Sequence, residues 1–249
     1  MHFAWFRFYE ELNDFLPAGK KKTSFSYSFT GNPSVKDAIE ALGVPHVEVD
    51  MIIVNGKPVD FSYKLRTEDK VSVYPVFESL DISTVSSLRE KPLRDPAFIL
   101  DVHLGRLAKH LRLCGLDTLY FKHLTDPEII KVSLKDRRII LTRDKGLLKN
   151  KKVTHGYWIR SIKPEAQLKE VLLRFDLKKN LHPFARCLEC NGILTDVAKE
   201  EIVNNLLPKT REYYTEFKQC PVCGHIYWEG SHFGRMKSYV DRLINEIDS

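Results

Sequence analysis

The sequence predicts an α/β protein in three parts: a small mixed sheet with one helix, a parallel sheet with helices on its faces, and a small unit held by cysteines. Residues 1–80 run strand, strand, helix, strand, strand, residues 95–180 alternate short apolar runs with helical patterns, and residues 181–249 contain two C-x-x-C pairs. With 43% hydrophobic, 29% charged and 11% aromatic residues, the chain has enough apolar surface for a sizeable core, which excludes a disordered protein. No apolar run approaches the ~18 residues that a membrane span needs, so no membrane partner is expected. The first residues carry Glu10, Glu11 and Asp14 where a signal peptide would be basic and then apolar, and a cytoplasmic location is the expectation.

In the first part, Ala4–Tyr9 and Thr23–Phe29 alternate as strands, with the basic stretch Pro17–Lys22 as the turn of a hairpin. Pro33-Ser34-Val35 opens a helix that runs to Leu42 and is stopped by Gly43 and Pro45. Val47–Val54, Val59 and Val71–Val76 supply further strands around the Asn55-Gly56 turn. This ββαββ order resembles the ubiquitin-like β-grasp fold, and VNGKPVDFSYKLRTEDKVSVYPVF is similar to its sulfur-carrier branch. Sulfur carriers end in a Gly-Gly tail, whereas here Pro75-Val76-Phe77-Glu78 runs on, so carrier chemistry is not expected. The β-grasp part is instead a candidate surface for a protein partner. The stretch Ser79–Pro96, rich in Ser, Pro and charge, reads as a linker.

The second part opens with the apolar run Ala97–Leu100, which ends at Asp101 and leads into a helix with Leu104, Leu107, Ala108 and Leu111 on one face. Leu116–Phe121 reads as a second strand, Asp126-Pro127 caps and starts a helix through Leu134, and Arg138–Leu141 is a third strand ending in Thr142-Arg143-Asp144. A Tyr157–Arg160 strand and a Pro164–Phe175 helix extend the pattern. In a parallel sheet, side chains at the carboxyl ends of the strands face one crevice. Asp101 and Asp144 fit that position, Asp126 faces the same edge, and Asp117 follows the Cys114-Gly115 turn. Gathered carboxylates repel one another unless a cation neutralises them. Mg²⁺ or Mn²⁺ on Asp101, Asp126 and Asp144, with Asp117 as a further catalytic acid, would suit hydrolysis of a phosphodiester by activated water. Asp126 also reads as an ordinary helix cap, and Asp117 as a turn residue.

Basic residues surround these acids. The run Lys131–Lys152 is strongly positive, and Arg106, Lys109, Arg112, Arg143, Lys145 and Arg186 are candidates for holding a polyanion such as RNA, although such a run is also what a solvated helix face looks like. The third part carries Cys187-Leu188-Glu189-Cys190 and Cys220-Pro221-Val222-Cys223, four thiolates for a structural Zn²⁺. The stretch Asn191–Gln219 exceeds the common ribbon spacing of about 15 to 20 residues. Helices over Ala198–Leu206 and Arg211–Phe217 are expected to fill it. Cys114 reads as a buried core thiol. Beyond the cysteines, Tyr227 and Trp228 are candidates for stacking an unpaired base and His232 for a phosphate contact, with Trp228 equally able to cover the core of the small unit.

The segments FILDVHLGRLAKHLRLCGLD, RRIILTRDKGLL, RCLECNGIL and CPVCGHIYWEGSHFGRM resemble the Mut-seven C-terminal RNase domain family, a PIN-like nuclease fold followed by a zinc ribbon and often preceded by a ubiquitin-like domain. The resemblance spans Ala97–Met236. It implies Asp101 as the first PIN acid, Asp126 as the helix-start acid, Asp144 as the acid of the T-x-D signature and Asp117 as the acid of the G-x-D motif. The Glu that the general PIN pattern carries on a helix between the first and later acids is left unplaced. The implied activity is metal-dependent ribonuclease action, and the alternative is an RNA-binding or ribosome-associated module with weak or no catalysis.

Overall fold

The computed structural model describes residues 1–75 and 96–247, so residues 79–95 of the expected linker lie outside the described residues. The described residues divide into two compact units, one of residues 1–75 with Asp144–Trp158, the other of residues 96–143 with 159–247. No helix among them is long and apolar enough to cross a membrane.

The first unit is built on β1 (His2–Phe8), β2 (Phe25–Phe29), β3 (Val49–Val54), β4 (Lys57–Val59) and β5 (Lys70–Pro75), in the order β2-β1-β5-β3-β4. β1 and β5 are parallel at the centre, and the other pairs are antiparallel. Alternation in β1 sends Ala4, Phe6 and Phe8 inward and leaves Phe3, Trp5 and Arg7 on the other face. Helix α1 (Val35–Ala41) starts where Ser34 and Asp37 form a reciprocal capping box, and it buries Val35, Ala38 and Ile39 in the same core. This is the expected ubiquitin-like arrangement. The β1–β2 connection departs from a simple basic turn: two 3₁₀ turns, Glu10–Phe15 and Ala18–Lys20, occupy it and bury Leu12 and Phe15. Asn13 holds the connection together, donating to the carbonyls of Phe8 and Glu10 and accepting from the Lys22 amide.

The second unit opens with β6 (Phe98–Leu100), α2 (Gly105–Leu113), β7 (Thr118–Tyr120), α3 (Asp126–Asp136) and β8 (Ile139–Thr142). β7 and β8 flank β6, both parallel to it, with Phe98 opposite Thr118 and Ile139 and Leu100 opposite Tyr120 and Leu141. β6 and β8 are buried along their whole length, as strands covered on both faces must be. The cap of α3 is Thr125, in a capping box with Glu128; Asp126 is the first helical residue and not the cap.

From Asp144 to Trp158 the chain belongs to the first unit, as α4 (Lys145–Leu148) and β9 (Gly156–Trp158). There the Trp158 ring lies 4.9 Å from Phe15, its amide donates to Glu48, and His46 Nε2 reaches the Val153 carbonyl at 2.9 Å. The second unit resumes with α5 (Pro164–Arg174), which packs on α2.

The C-terminal ribbon follows. It contains β10 (Thr195–Val197), α6 (Lys199–Ile202), α7 (Pro208–Tyr213), β11 (Phe217–Gln219) and β12 (Ile226–Tyr227), with the strands antiparallel in that order. The first expected helix is present but short. The second is corrected: α7 starts at Pro208 and ends at Tyr213, and Phe217 is a strand residue paired with Val197. Ile202, Leu206 and Phe217 form the ribbon's small core. A long helix, α8 (Ser231–Ile247), ends the described chain and buries Val240 and Leu243.

Candidate nucleic-acid site and metal centre

Asp101 sits at the carboxyl end of β6 and is only 4% exposed. Because β6 and β8 end side by side, the backbone after β8 closes over its carboxylate. Oδ2 accepts from the Thr142 hydroxyl and from the Arg143 amide at 3.0 Å, and Oδ1 accepts from the His103 amide at 2.8 Å. Three of roughly four acceptor positions on the carboxylate are therefore occupied, and a buried anion is satisfied by groups that carry no opposing charge.

The other three acids are placed differently. Asp126 is exposed at the start of α3, which follows the carboxyl end of β7, so it shares a sheet edge with Asp101. Asp144, exposed and in the first unit, caps α4 by accepting from the Gly146 amide at 2.7 Å. Asp117 precedes β7 and so lies at the amino edge of the sheet, opposite to Asp101. There its Oδ1 meets Arg138 at 2.6 Å and accepts from the Asn191 amide at 2.8 Å, and its Oδ2 is 3.7 Å from Arg186. Burial pushes the Asp117 carboxyl up, but the hydrogen bonds from Arg138 and Asn191, with the charges of Arg138 and Arg186, hold it below the usual aspartate range. Among the described residues, no three His, Cys, Asp or Glu side chains converge on a common point outside the cysteine set.

A cleft of about 660 Å³ opens along the turn and helix that follow Asp101; His103, Arg106, Lys109, Tyr120, Lys122 and Glu189 are among the residues that line it, and Asp101 itself is not. Gly105 leaves room for Tyr120 in its wall: a Cβ there would lie 2.7 Å from the Tyr120 hydroxyl, which donates to the Val102 carbonyl. Arg106 and Lys122 are exposed, and Lys109 pairs with Glu189 at 2.7 Å on the surface. The remaining expected phosphate contacts have other work. Arg112 is 3% exposed and donates to the carbonyls of Thr118, Leu188 and Glu189. Arg186 donates to the carbonyls of Gly115 and Asn191, and Arg143 to those of Arg160 and Ser161. Lys145 lies in the first unit, 3.9 Å over the Trp158 ring. Arg112, Arg143 and Arg186 were legible as basic residues, but their carbonyl partners are distant in sequence.

The four cysteines are brought together as expected. The sulfur atoms of Cys187, Cys190, Cys220 and Cys223 all lie within 4.8 Å of one another, with Cys187–Cys223 at 3.6 Å and Cys190–Cys220 at 3.3 Å. A tetrahedral site with metal–sulfur bonds of about 2.3 Å has sulfurs about 3.8 Å apart, so the set fits a closed four-thiolate site and can hold a metal ion. The small residues after each pair close the knuckles. A Cβ on Gly192 would lie 2.8 Å from Cys220 Sγ, and Gly224 takes a φ of +74°. Burial opposes ionisation of Cys187, but the Tyr227 hydroxyl and the amides of Cys190 and Glu189 bring its thiol down to about 7. Cys114 has no such help, and burial pushes it up to about 12, as an inert core thiol requires.

Sequence reasoning missed how this knuckle is attached. Asn191, at a φ of +75°, accepts from the Thr118 amide and donates to Asp117, which ties the first cysteine pair to β7. Gly115 lets the chain before the knuckle approach α2, since a Cβ there would lie 2.0 Å from the His182 carbonyl oxygen. The signal was present in the C-x-x-C-N-G and G-L-D strings, but their contact is between segments far apart in the chain.

Of the aromatic candidates, Tyr227 is anchored: its hydroxyl lies 3.2 Å from Cys187 Sγ and accepts from the Leu188 amide at 2.9 Å. Trp228 is 38% exposed, and His232 is exposed with Nδ1 2.9 Å from Arg235.

Two family models match the chain. One, described as the Mut7-C RNAse domain, covers residues 96–240, more than half of the sequence. The other, described as Mut7-C ubiquitin, covers residues 1–81. No curated protein and no solved structure gives a significant match.

Proposed function

Since the chain belongs to the Mut7-C RNAse domain family, we propose that it is a ribonuclease that hydrolyses phosphodiester bonds of RNA at the carboxyl edge of the β7-β6-β8 sheet. The observation that carries this reading is Asp101: a buried carboxylate held in one orientation, with an acceptor position left over, bonded to the amide of His103, from which a cleft with Arg106, Lys109 and Lys122 on its walls begins. Mg²⁺ or Mn²⁺ is commonly bound through one or two carboxylates plus substrate phosphates and waters, and that mode suits a site where three carboxylates do not converge. Asp101 would hold such an ion, with Asp126, on the same sheet edge, as its other candidate acid. A bound ion supplies activation of water and stabilisation of the leaving oxygen. The chain's own residues do the rest: Thr142 and the Arg143 amide fix Asp101, and the exposed cations of the cleft bind the RNA backbone. Asp117 is assigned to the scaffold, and the four cysteines to a structural Zn²⁺.

The sparse acid set favours a second reading, an RNA-binding module with weak or no cleavage. The two readings part in one experiment. Wild-type protein and Asp101→Asn are incubated with labelled single-stranded RNA with and without added Mg²⁺ or Mn²⁺. The nuclease reading expects metal-dependent cleavage that falls about a hundredfold or more in Asp101→Asn, with RNA still bound. Equal binding and no cleavage by either protein would reject it in favour of the binding module.

A further inference from the structure

A second concavity, of about 500 Å³, is lined by ribbon and α8 residues and shares none with the cleft of Arg106 and Lys122. Its walls include Tyr213, Tyr214, Tyr227, Trp228 and Phe233, and no carboxylate lines it. The volume falls in the range of about 300–1,000 Å³ that small-molecule sites occupy. We propose that this groove is a binding site for an unpaired base of single-stranded RNA, with Lys209 and His232 at the adjoining phosphate. The proposal deepens the reading above and rests on RNA being the ligand class.

Single exposed rings are ordinary on a protein surface, but here they wall one cavity. Trp228 is 38% exposed and Tyr213 70% exposed. Tyr214, packed against the ribbon core, and Trp228 lie 6.5 Å apart at 49°, so the two rings are tilted and do not stack on each other. The groove is also preformed. Tyr227 is fixed from behind by Cys187 and the Leu188 amide, and Phe233 packs 4.6 Å from Phe184. Gly230 seats the indole: a Cβ at that position would lie 2.9 Å from Trp228 Nε1 and 3.5 Å from the Tyr214 hydroxyl. Rings held in place before binding lose little freedom when a ligand arrives.

The polar groups select the class of ligand. Lys209, His225 and His232 line the groove, and Arg235 contacts His232 at 2.9 Å. A site with flat apolar walls, cationic or proton-donating groups and no acid matches a ligand with a planar uncharged part and an anionic part. A nucleotide in an unpaired strand has both, whereas a base inside a duplex hides its faces.

The test uses the full-length, metal-loaded chain carrying Asp101→Asn, so that binding is read without cleavage. Anisotropy of a fluorescein-labelled RNA hexamer is measured for this protein and for versions that also carry Trp228→Ala, Trp228→Phe or Gly230→Ala. Each variant is checked for metal content and thermal unfolding. The proposal expects Trp228→Ala to weaken the hexamer about tenfold. Gly230→Ala, which displaces the indole, should weaken it in the same direction, and Trp228→Phe should restore most of the loss. The same variants should leave binding of an RNA duplex unchanged. Wild-type affinity in both Trp228→Ala and Gly230→Ala, or no binding of the hexamer at all, would overturn it. So would equal competition from an aromatic acidic peptide, which would mark the groove as a protein site. Failure of cleavage by protein with an intact Asp101 while these losses hold would remove the nuclease reading and leave the groove standing; retained cleavage with unaffected binding would do the reverse.

Discussion

Asp117 and Asp101 are both motif acids at strand ends, and the register of the sheet separates them. Asp117 immediately precedes β7 and Arg138 immediately precedes β8, so both stand by the start of β6, and the two form an ion pair. Its folded-state pKa is below the ordinary value of 3.8, so the stabilisation it contributes is complete above that value and is lost as the pH falls through the lowered folded value. Asp117→Asn should therefore reduce the melting temperature at neutral pH and flatten its fall between about pH 5 and pH 2, measured by thermal unfolding across that range. Arg138→Met should destabilise more at neutral pH, because it leaves a half-buried carboxylate without its nearest cation. Asp101 was legible as a candidate because a charged residue closing the run Phe98-Ile99-Leu100 needs partners. Which partners was not legible. Thr142 ends, and Arg143 follows, a strand some forty residues on, and only the parallel pairing of β6 with β8 brings them to the carboxylate.

At the scale of elements, the apolar patterns found most of the strands and helices, because periodicity is a local property. The C-terminal helix α8 was missed although Phe233, Met236, Val240 and Leu243 recur at helical spacing. The helix expected over Arg211–Phe217 slid toward the amino end because Pro208 favours the first helical turn and the β10–β11 pairing claims Phe217. The joint between α2, β7 and the first knuckle is an element-scale device. Arg112 is its centre, with three carbonyls on one guanidinium. Arg112→Met should cost roughly 2–4 kcal/mol in urea unfolding through the orphaned carbonyls, with no need for RNA or metal in the readout. Gly115→Ala should be as severe, since it combines a positive φ with a backbone clash against His182.

For the molecule as a whole, the sequence shows three stretches of distinct character, and the compact units do not follow them in simple order. Residues 144–158, which lie in sequence between two stretches of the second unit, cluster with the first unit. A fragment of residues 1–80 would lack Val153 and Trp158, leaving His46 without its carbonyl and exposing Phe15. Such a fragment should unfold at lower urea than the corresponding transition in the full chain, with the difference read by circular dichroism; equal midpoints would show that the segment adds nothing to the first unit.

Asn191 joins the cysteine cluster to the sheet edge through two hydrogen bonds, and this makes metal occupancy a thermodynamic property of the α/β layer as well as of the ribbon. An ion that binds only the folded chain adds about 4 kcal/mol of stability at a free concentration a thousand times its dissociation constant. The melting temperature of the second unit should thus track free zinc, and a strong chelator should lower it even with saturating Mg²⁺. Chelation consequently acts on the foundations of the α2 cleft along with any ion bound at Asp101. Titrating Mg²⁺ at clamped free zinc keeps the foundation constant, and the activity then reports on the cleft alone.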